Sequence, residues 1–166
     1  MSRRDVTADD SGLLLEMEPL GEQPRISSIE VSTGSKSLLA YKITWTKPSA
    51  LQSVESEHIL SDEKVKNVGR YDVADGDFIT GFGLVTSNIG KYDQQTVSAF
   101  VIQTANGDEK RIGVKKNDAE VHMLHESTPD AVSEVLTFSI ERYIIEGMSK
   151  PVAIAVSGWC DVIDHE

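Results

Sequence analysis

The chain has 166 residues, enough for one domain with a single core, and its only cysteine, Cys160, cannot form a disulfide within the chain. The formal charge of −11 disfavours nucleic acid and anionic membranes as partners, because both repel an acidic surface. No run approaches the roughly 18 apolar residues of a membrane-spanning helix, and the first residues lack the apolar stretch of a signal peptide. We therefore expect a soluble protein, cytoplasmic or exported without a classical signal peptide.

Residues 1–24 predict a flexible or peripheral N-terminal arm. The apolar patch at residues 13–17 is too short for an autonomous helix, and Pro19 and Pro24 follow it. The arm could lie on its own domain, add an edge strand to a sheet or dock on a partner. We expect residues 25–166 to form a single all-β domain.

From Arg25 onward, apolar and polar residues alternate as they do in half-buried strands. The pattern predicts strands at residues 26–31 and 39–45, joined by a turn at residues 33–35. Residues 47–69 are polar and predict a long loop, with a short helical turn near residues 62–66. Further strands are predicted at residues 71–73, 78–86 and 96–104, separated by turns or loops at 75–77 and 87–93.

Asn106-Gly107 predicts a hairpin between residues 97–104 and 111–114, because this pair best tolerates the positive φ angles of a type I′ turn. Residues 132–145 fit either a helical face or extended structure. Their β-branched and aromatic residues favour two short strands, with Gly147 as a break before a last strand at residues 151–157. About ten short antiparallel strands predict a sandwich, barrel or prism.

The predicted core consists of the inward-facing apolar residues of these strands. They are Ile29, Val31, Tyr41, Ile43, Phe82, Leu84, Phe100, Ile102, Phe138, Ile140, Ile154 and Val156.

The closing segment contains a motif that suits a sugar. Gly158-Trp159-Cys160-Asp161 lies between two apolar runs, so it predicts a turn that carries an aromatic ring and a carboxylate. A sugar needs a flat apolar face to stack on and a fixed acceptor for its hydroxyls, and this turn would supply both. An ordinary hairpin turn with a half-buried Trp has the same composition, since turns favour Gly and Asp for backbone reasons.

Several segments, in this order, resemble the jacalin-related lectins. They are residues 26–31, 38–45, 76–83, 97–107 and 157–163. The resemblance implies a β-prism of three four-stranded Greek-key sheets, with a β-sandwich as the alternative. It also implies a lectin-like module that binds a glycan or glycoprotein.

In that family the closing turn reads Gly-x-x-x-Asp, and the Asp accepts hydrogen bonds from two adjacent sugar hydroxyls. By position, the resemblance implies Asp161 as the acceptor, the amides of Trp159 and Cys160 as donors, and the Trp159 ring as a wall, all beginning at Gly158. The spacing here is Gly-x-x-Asp, one residue shorter. Residues 1–24 contain no counterpart of the glycine-rich segment that closes the pocket in that family.

The sequence also bears on two classes of function other than a lectin. His122 and His125 would share one face of a helix, but no third metal ligand is marked and the order is not His-Glu-x-x-His. We therefore expect no catalytic residues, no metal and no cofactor. The alternative to a lectin is a non-catalytic structural or assembly domain, which would bind a protein partner or a second copy through its N-terminal arm or its sheet edges.

Overall fold

The computed structural model describes residues 24–35, 37–47, 52–61, 63–88, 95–115, 119–145 and 152–165. In these residues the chain forms ten β-strands and no helix. The strands are β1 (Arg25–Thr33), β2 (Leu38–Lys47), β3 (Gln52–Ile59), β4 (Asn67–Asp72), β5 (Ile79–Asn88), β6 (Gln95–Thr104), β7 (Glu109–Gly113), β8 (Glu120–Glu126), β9 (Ser133–Ile145) and β10 (Val152–Asp164). The predicted all-β fold is confirmed.

The described strands form three antiparallel sheets. The first has the order β3-β2-β1-β4, the second β7-β6-β5-β8, and the third pairs β10 with β9. One ring from each sheet meets at the centre: the ring of Phe138 lies 3.8 Å from that of Phe82 and 5.5 Å from that of Tyr41. Three sheets that share one core form a β-prism, so the sandwich alternative does not apply.

The alternation of apolar residues produces the core. The predicted core residues from Ile29 to Ile140 are all buried, with exposed fractions of 0–7%. The polar groups of two aromatic side chains form hydrogen bonds between the first and third sheets within this core. The Trp45 indole donates a hydrogen bond to the Leu136 carbonyl at 2.7 Å, and the Tyr41 hydroxyl accepts one from the Ile140 amide at 3.3 Å. The side chains of Ile154 and Val156 lie outside the described part.

The prediction of a long loop over residues 47–69 is wrong. Strand β3 pairs with β2 from Gln52 opposite Lys47 to Ile59 opposite Ala40, and the described residues 63–66 are not helical. The reason is that β3 lies at the edge of its sheet, where one side of the strand faces water. Charged outward residues such as Glu55 and Glu57 are typical of edge strands, so the apolar alternation that marks β1 and β2 is absent.

Residues 132–145 contain one long strand rather than two short ones. The 13-residue strand β9 pairs with β10 along its length, from Ser133 opposite Asp164 to Ile145 opposite Val152. The extended alternative was therefore correct in type, and the helical alternative is wrong. Position 147 lies outside the described residues, as does the predicted arm apart from Pro24.

The hairpin between β6 and β7 is confirmed, but its turn lies one residue earlier than predicted. The Gly107 amide donates to the Thr104 carbonyl at 3.0 Å, so Ala105 and Asn106 are the central residues. Gly107 follows them with a φ of 90°. A turn followed by a glycine in the left-handed region is the usual three-residue hairpin, and it needs the glycine just as a type I′ turn does.

Candidate functional site

The predicted sugar-binding residues lie inside strand β10 and not in a turn. Gly158 pairs with Ile140, and Asp161 pairs with Thr137, so the strand continues to Asp164. The pairing register shifts between Ile154 and Ser157 and again between Asp161 and Val162, but the chain does not reverse direction at either point. The predicted end of the last strand at residue 157, and the turn after it, are therefore wrong.

The four residues differ in exposure. Gly158 and Trp159 are half-buried, whereas Cys160 and Asp161 have exposed fractions of 0%. In this conformation the Asp161 carboxylate is not presented at the surface. The participation of these residues in sugar binding stays a prediction, and Trp159 is the member whose side chain reaches the surface.

Gly158 has a packing role. A Cβ atom added there would lie 2.5 Å from the Ser139 carbonyl oxygen and 3.1 Å from Cδ1 of Ile140. Close approach of the neighbouring strand therefore requires glycine at this position. The glycine that sequence reasoning assigned to a turn is explained by strand packing.

A cavity of about 330 Å³ lies where β1 begins. It is open to solvent on one side and is bordered by the first residues of β1, the end of β2 and the loop between β4 and β5. Its lining consists of Arg25, Ile26, Ser27, Thr46, Val73, Ala74, Asp75, Gly76 and Asp77. The sequence predicts only a turn at residues 75–77, and the structure has a turn there, with a φ of 80° at Gly76.

Asp77 fixes the loop that borders this cavity. Its Oδ1 atom accepts hydrogen bonds from the Phe78 amide at 2.9 Å and from the Asn106 amide at 3.0 Å. The carboxylate thus connects the cavity loop to the tip of the β6–β7 hairpin. Elsewhere in the lining, the Thr46 hydroxyl donates to Ser27 Oγ at 2.8 Å, and Ser27 donates to the Thr44 carbonyl. Hydrogen bonds therefore hold both of these parts of the lining.

Arg25 is positioned by a buried acid. Its Nε atom lies 3.2 Å from Oε2 of Glu134, and its guanidinium carbon lies 5.1 Å from the centre of the Phe78 ring. Burial raises the pKa of Glu134, and the neighbouring Arg25 and His165 oppose this shift only in part. The lining of the cavity therefore contains a fixed cation, Arg25, and the carboxylates of Asp75 and Asp77.

His122 and His125 lie on strand β8, so the helix that would have aligned them is absent. His122 Nε2 lies 3.1 Å from Thr86 Oγ1, and His125 Nε2 lies 2.5 Å from Ser133 Oγ. Ser133 is only 4% exposed, and its Oγ atom also lies 3.1 Å from Ser127 Oγ. The described residues contain no group of three His, Cys, Asp or Glu side chains that could hold a metal ion.

Within the described ranges, no helix is long and apolar enough to cross a membrane.

No family model matches the sequence, and no curated protein matches it. Solved structures do match. AcmJRL, a mannose-binding jacalin-related lectin from Ananas comosus, has a TM-score of 0.55 and 6% identity, covering 99% of this chain and 90% of that one. Calystegia sepium agglutinin has a TM-score of 0.54 and 11% identity, covering 85% of this chain and 82% of that one.

The artocarpin–mannotriose complex has a TM-score of 0.54 and 11% identity, covering 88% of this chain and 87% of that one. Identities this low carry information on the fold alone. The resemblance suggested by the ordered segments is confirmed at that level. The chain has the β-prism fold of the jacalin-related lectins.

Proposed function

We propose that this chain is a carbohydrate-binding, lectin-like module without enzymatic activity. The observation that supports the proposal is its likeness in fold to lectins over most of their length. The neighbour from Ananas comosus is a mannose-binding lectin, and artocarpin is complexed with mannotriose. A glycan or glycoprotein is accordingly the proposed partner.

Residues 158–161 are the glycan-binding segment in this proposal. Trp159 supplies the apolar wall, because its side chain is half-buried and retains accessible surface. Asp161 is fully buried, so it accepts hydrogen bonds from a sugar only if strand β10 rearranges on binding. Sugar binding by Trp159 thus requires no change in β10, whereas sugar binding by Asp161 requires a rearrangement of that strand. Variants of the two residues distinguish these two cases.

The net charge of the chain indicates which glycans it binds. The formal charge of −11 disfavours sialylated and sulfated glycans, because like charges repel. Neutral glycans are the proposed ligands.

A glycan array tests the proposal. The full chain is applied to neutral and sialylated glycans, and binding to at least one neutral glycan is expected. Trp159→Ala should weaken that binding, whereas Ile59→Ala, which truncates an apolar residue that is 61% exposed elsewhere, should not. Asp161→Asn should abolish binding if β10 rearranges, and should leave it unchanged if Trp159 acts alone.

A blank array would contradict the proposal and favour the assembly alternative. Measuring the size of the intact chain and of a chain without residues 1–24 would then test association through the arm.

A further inference from the structure

We propose that the cavity at the start of β1 is a second carbohydrate subsite, which takes one uncharged sugar ring. The inference rests on the proposed lectin function and deepens it by assigning a site away from residues 158–161. The cavity volume of about 330 Å³ lies at the low end of the range of roughly 300–1,000 Å³ found for small-molecule sites.

The lining has the two kinds of surface that a sugar ring requires. Val73 and Ala74, which are half-buried and exposed, respectively, offer aliphatic surface for the C–H face of the ring. Arg25 and Asp75 offer a donor and an acceptor for its hydroxyls. Because Glu134 fixes Arg25 through Nε at 3.2 Å, this polar side does not have to be ordered when a ligand binds.

The buried carboxylate of Asp77 is the feature that favours a ligand in this cavity. It is 4% exposed and forms part of the cavity lining. Its Oδ1 atom accepts two backbone amides, whereas its Oδ2 atom is buried and has no hydrogen-bond partner among the described residues. Buried polar atoms are almost always hydrogen-bonded, so a carboxylate oxygen in this position needs a donor. A sugar hydroxyl is such a donor, and a hydrogen bond to a carboxylate is among the stronger ones.

The charges at the cavity favour an uncharged ligand. A metal ion is disfavoured because Arg25 lines the same space, and because the described residues contain no three-member acidic or histidine cluster suited to a metal. An anionic ligand is disfavoured by Asp75, by Asp77 and by the charge of the whole chain. A polyol such as a hexose can donate to the carboxylates and accept from the guanidinium at the same time.

The test compares two matched aspartate variants of the full chain. Asp77→Asn keeps an oxygen to accept the two amides and replaces the acceptor Oδ2 by an NH₂ group. Asp108→Asn makes the same change of charge at an exposed position outside the cavity lining. Both are titrated with mannotriose and with the strongest neutral binder from the array. Asp77→Asn should weaken binding by about tenfold or more, and Asp108→Asn should change it by less than about twofold.

The remaining outcomes are distinct. If Asp77→Asn unfolds, as judged by circular dichroism, Asp75→Asn at the exposed rim replaces it and should also weaken binding.

If the wild type binds a glycan and both cavity variants bind it equally well, the subsite is overturned while the lectin function stands. If no neutral glycan binds, both proposals fail. If binding is lost in EDTA and restored by Ca²⁺, a cation occupies the cavity and the uncharged-ligand inference is overturned.

Discussion

The Nε2 atom of His165 lies 2.8 Å from the Oε1 atom of Glu134, whose side chain is only 3% exposed. The His165 ring also stacks on Phe78, with 4.5 Å between ring centres and 9° between planes. Arg25 contacts the other carboxylate oxygen of Glu134. Arg25 lies at the start of β1, Glu134 lies near the start of β9, and His165 follows β10. Their contacts therefore hold these three strand ends together beside the cavity.

The stability contributed by Glu134 should depend on pH with a definite sign. Burial raises its pKa in the folded state above the ordinary value of 4.5, so folding favours the protonated acid. Stability relative to a Gln variant is therefore fully present below pH 4.5 and is lost as the pH rises through the folded-state pKa.

The free energy of unfolding is measured with urea for the Glu134→Gln variant and for a parent that keeps Glu134, at several pH values between about 4 and 7. Both proteins carry His165→Asn, so that the imidazole beside Oε1 of Glu134 is absent from both. The parent should lose stability relative to Glu134→Gln as the pH rises. A relative gain with rising pH would show that Arg25 outweighs the effect of burial.

Phe138 should be among the most costly core residues to truncate. Its ring lies 3.8 Å from that of Phe82, 5.4 Å from that of Phe100 and 5.5 Å from that of Tyr41, so it joins all three sheets. Phe138→Ala should lower the free energy of unfolding by about 3–5 kcal/mol in a denaturant titration. Val68→Ala, at a position that is 60% exposed, should cost less than about 0.5 kcal/mol. Equal costs would contradict the assigned core.

Gly158→Ala should destabilise the chain because its Cβ atom would lie 2.5 Å from the Ser139 carbonyl oxygen, which is backbone and cannot move alone. We expect a cost of about 1–3 kcal/mol, measured by chemical denaturation. Gly34→Ala is the control, since the nearest atom to its Cβ would be 3.5 Å away, an ordinary contact. If Gly158→Ala is as stable as Gly34→Ala, the tight pairing of β9 and β10 is wrong.

Removal of residues 1–24 should leave the midpoint of thermal unfolding nearly unchanged. The expectation depends on the shortness of the apolar patch at residues 13–17, which cannot bury much surface. Circular dichroism at rising temperature measures the effect. A drop of more than about 5 °C would mean that this segment pairs as a strand or fills part of the core.

The fold was predictable where strands have one face in the core. Ile29 and Val31 alternate with polar residues because the two faces of β1 meet different surroundings, and the same holds for Tyr41 and Ile43 on β2. Edge strand β3 has no such contrast in its sequence, so the same reasoning missed it. Periodicity reports burial, and strands with little burial leave little signal.

The site was less predictable than the fold. Gly158 was assigned to a turn because a local motif cannot distinguish a turn glycine from one that a neighbouring strand approaches closely. The cavity joins Arg25, Thr46 and Asp77, which are far apart in sequence and meet only through the pairing of β1 with β2 and β4. Only the Asp75-Gly76-Asp77 turn signalled it locally, and the same composition marks ordinary turns.

The most direct test of carbohydrate binding is a titration of the ¹⁵N-labelled full chain with mannotriose and with each neutral glycan that is positive on the array, followed by nuclear magnetic resonance. We predict saturable shifts confined to a few amides, at Trp159 and its neighbours and at Gly76 and Asn106 around the cavity. A sialylated analogue should shift them less. If no neutral glycan produces a saturable shift anywhere in the spectrum, the chain is not a lectin.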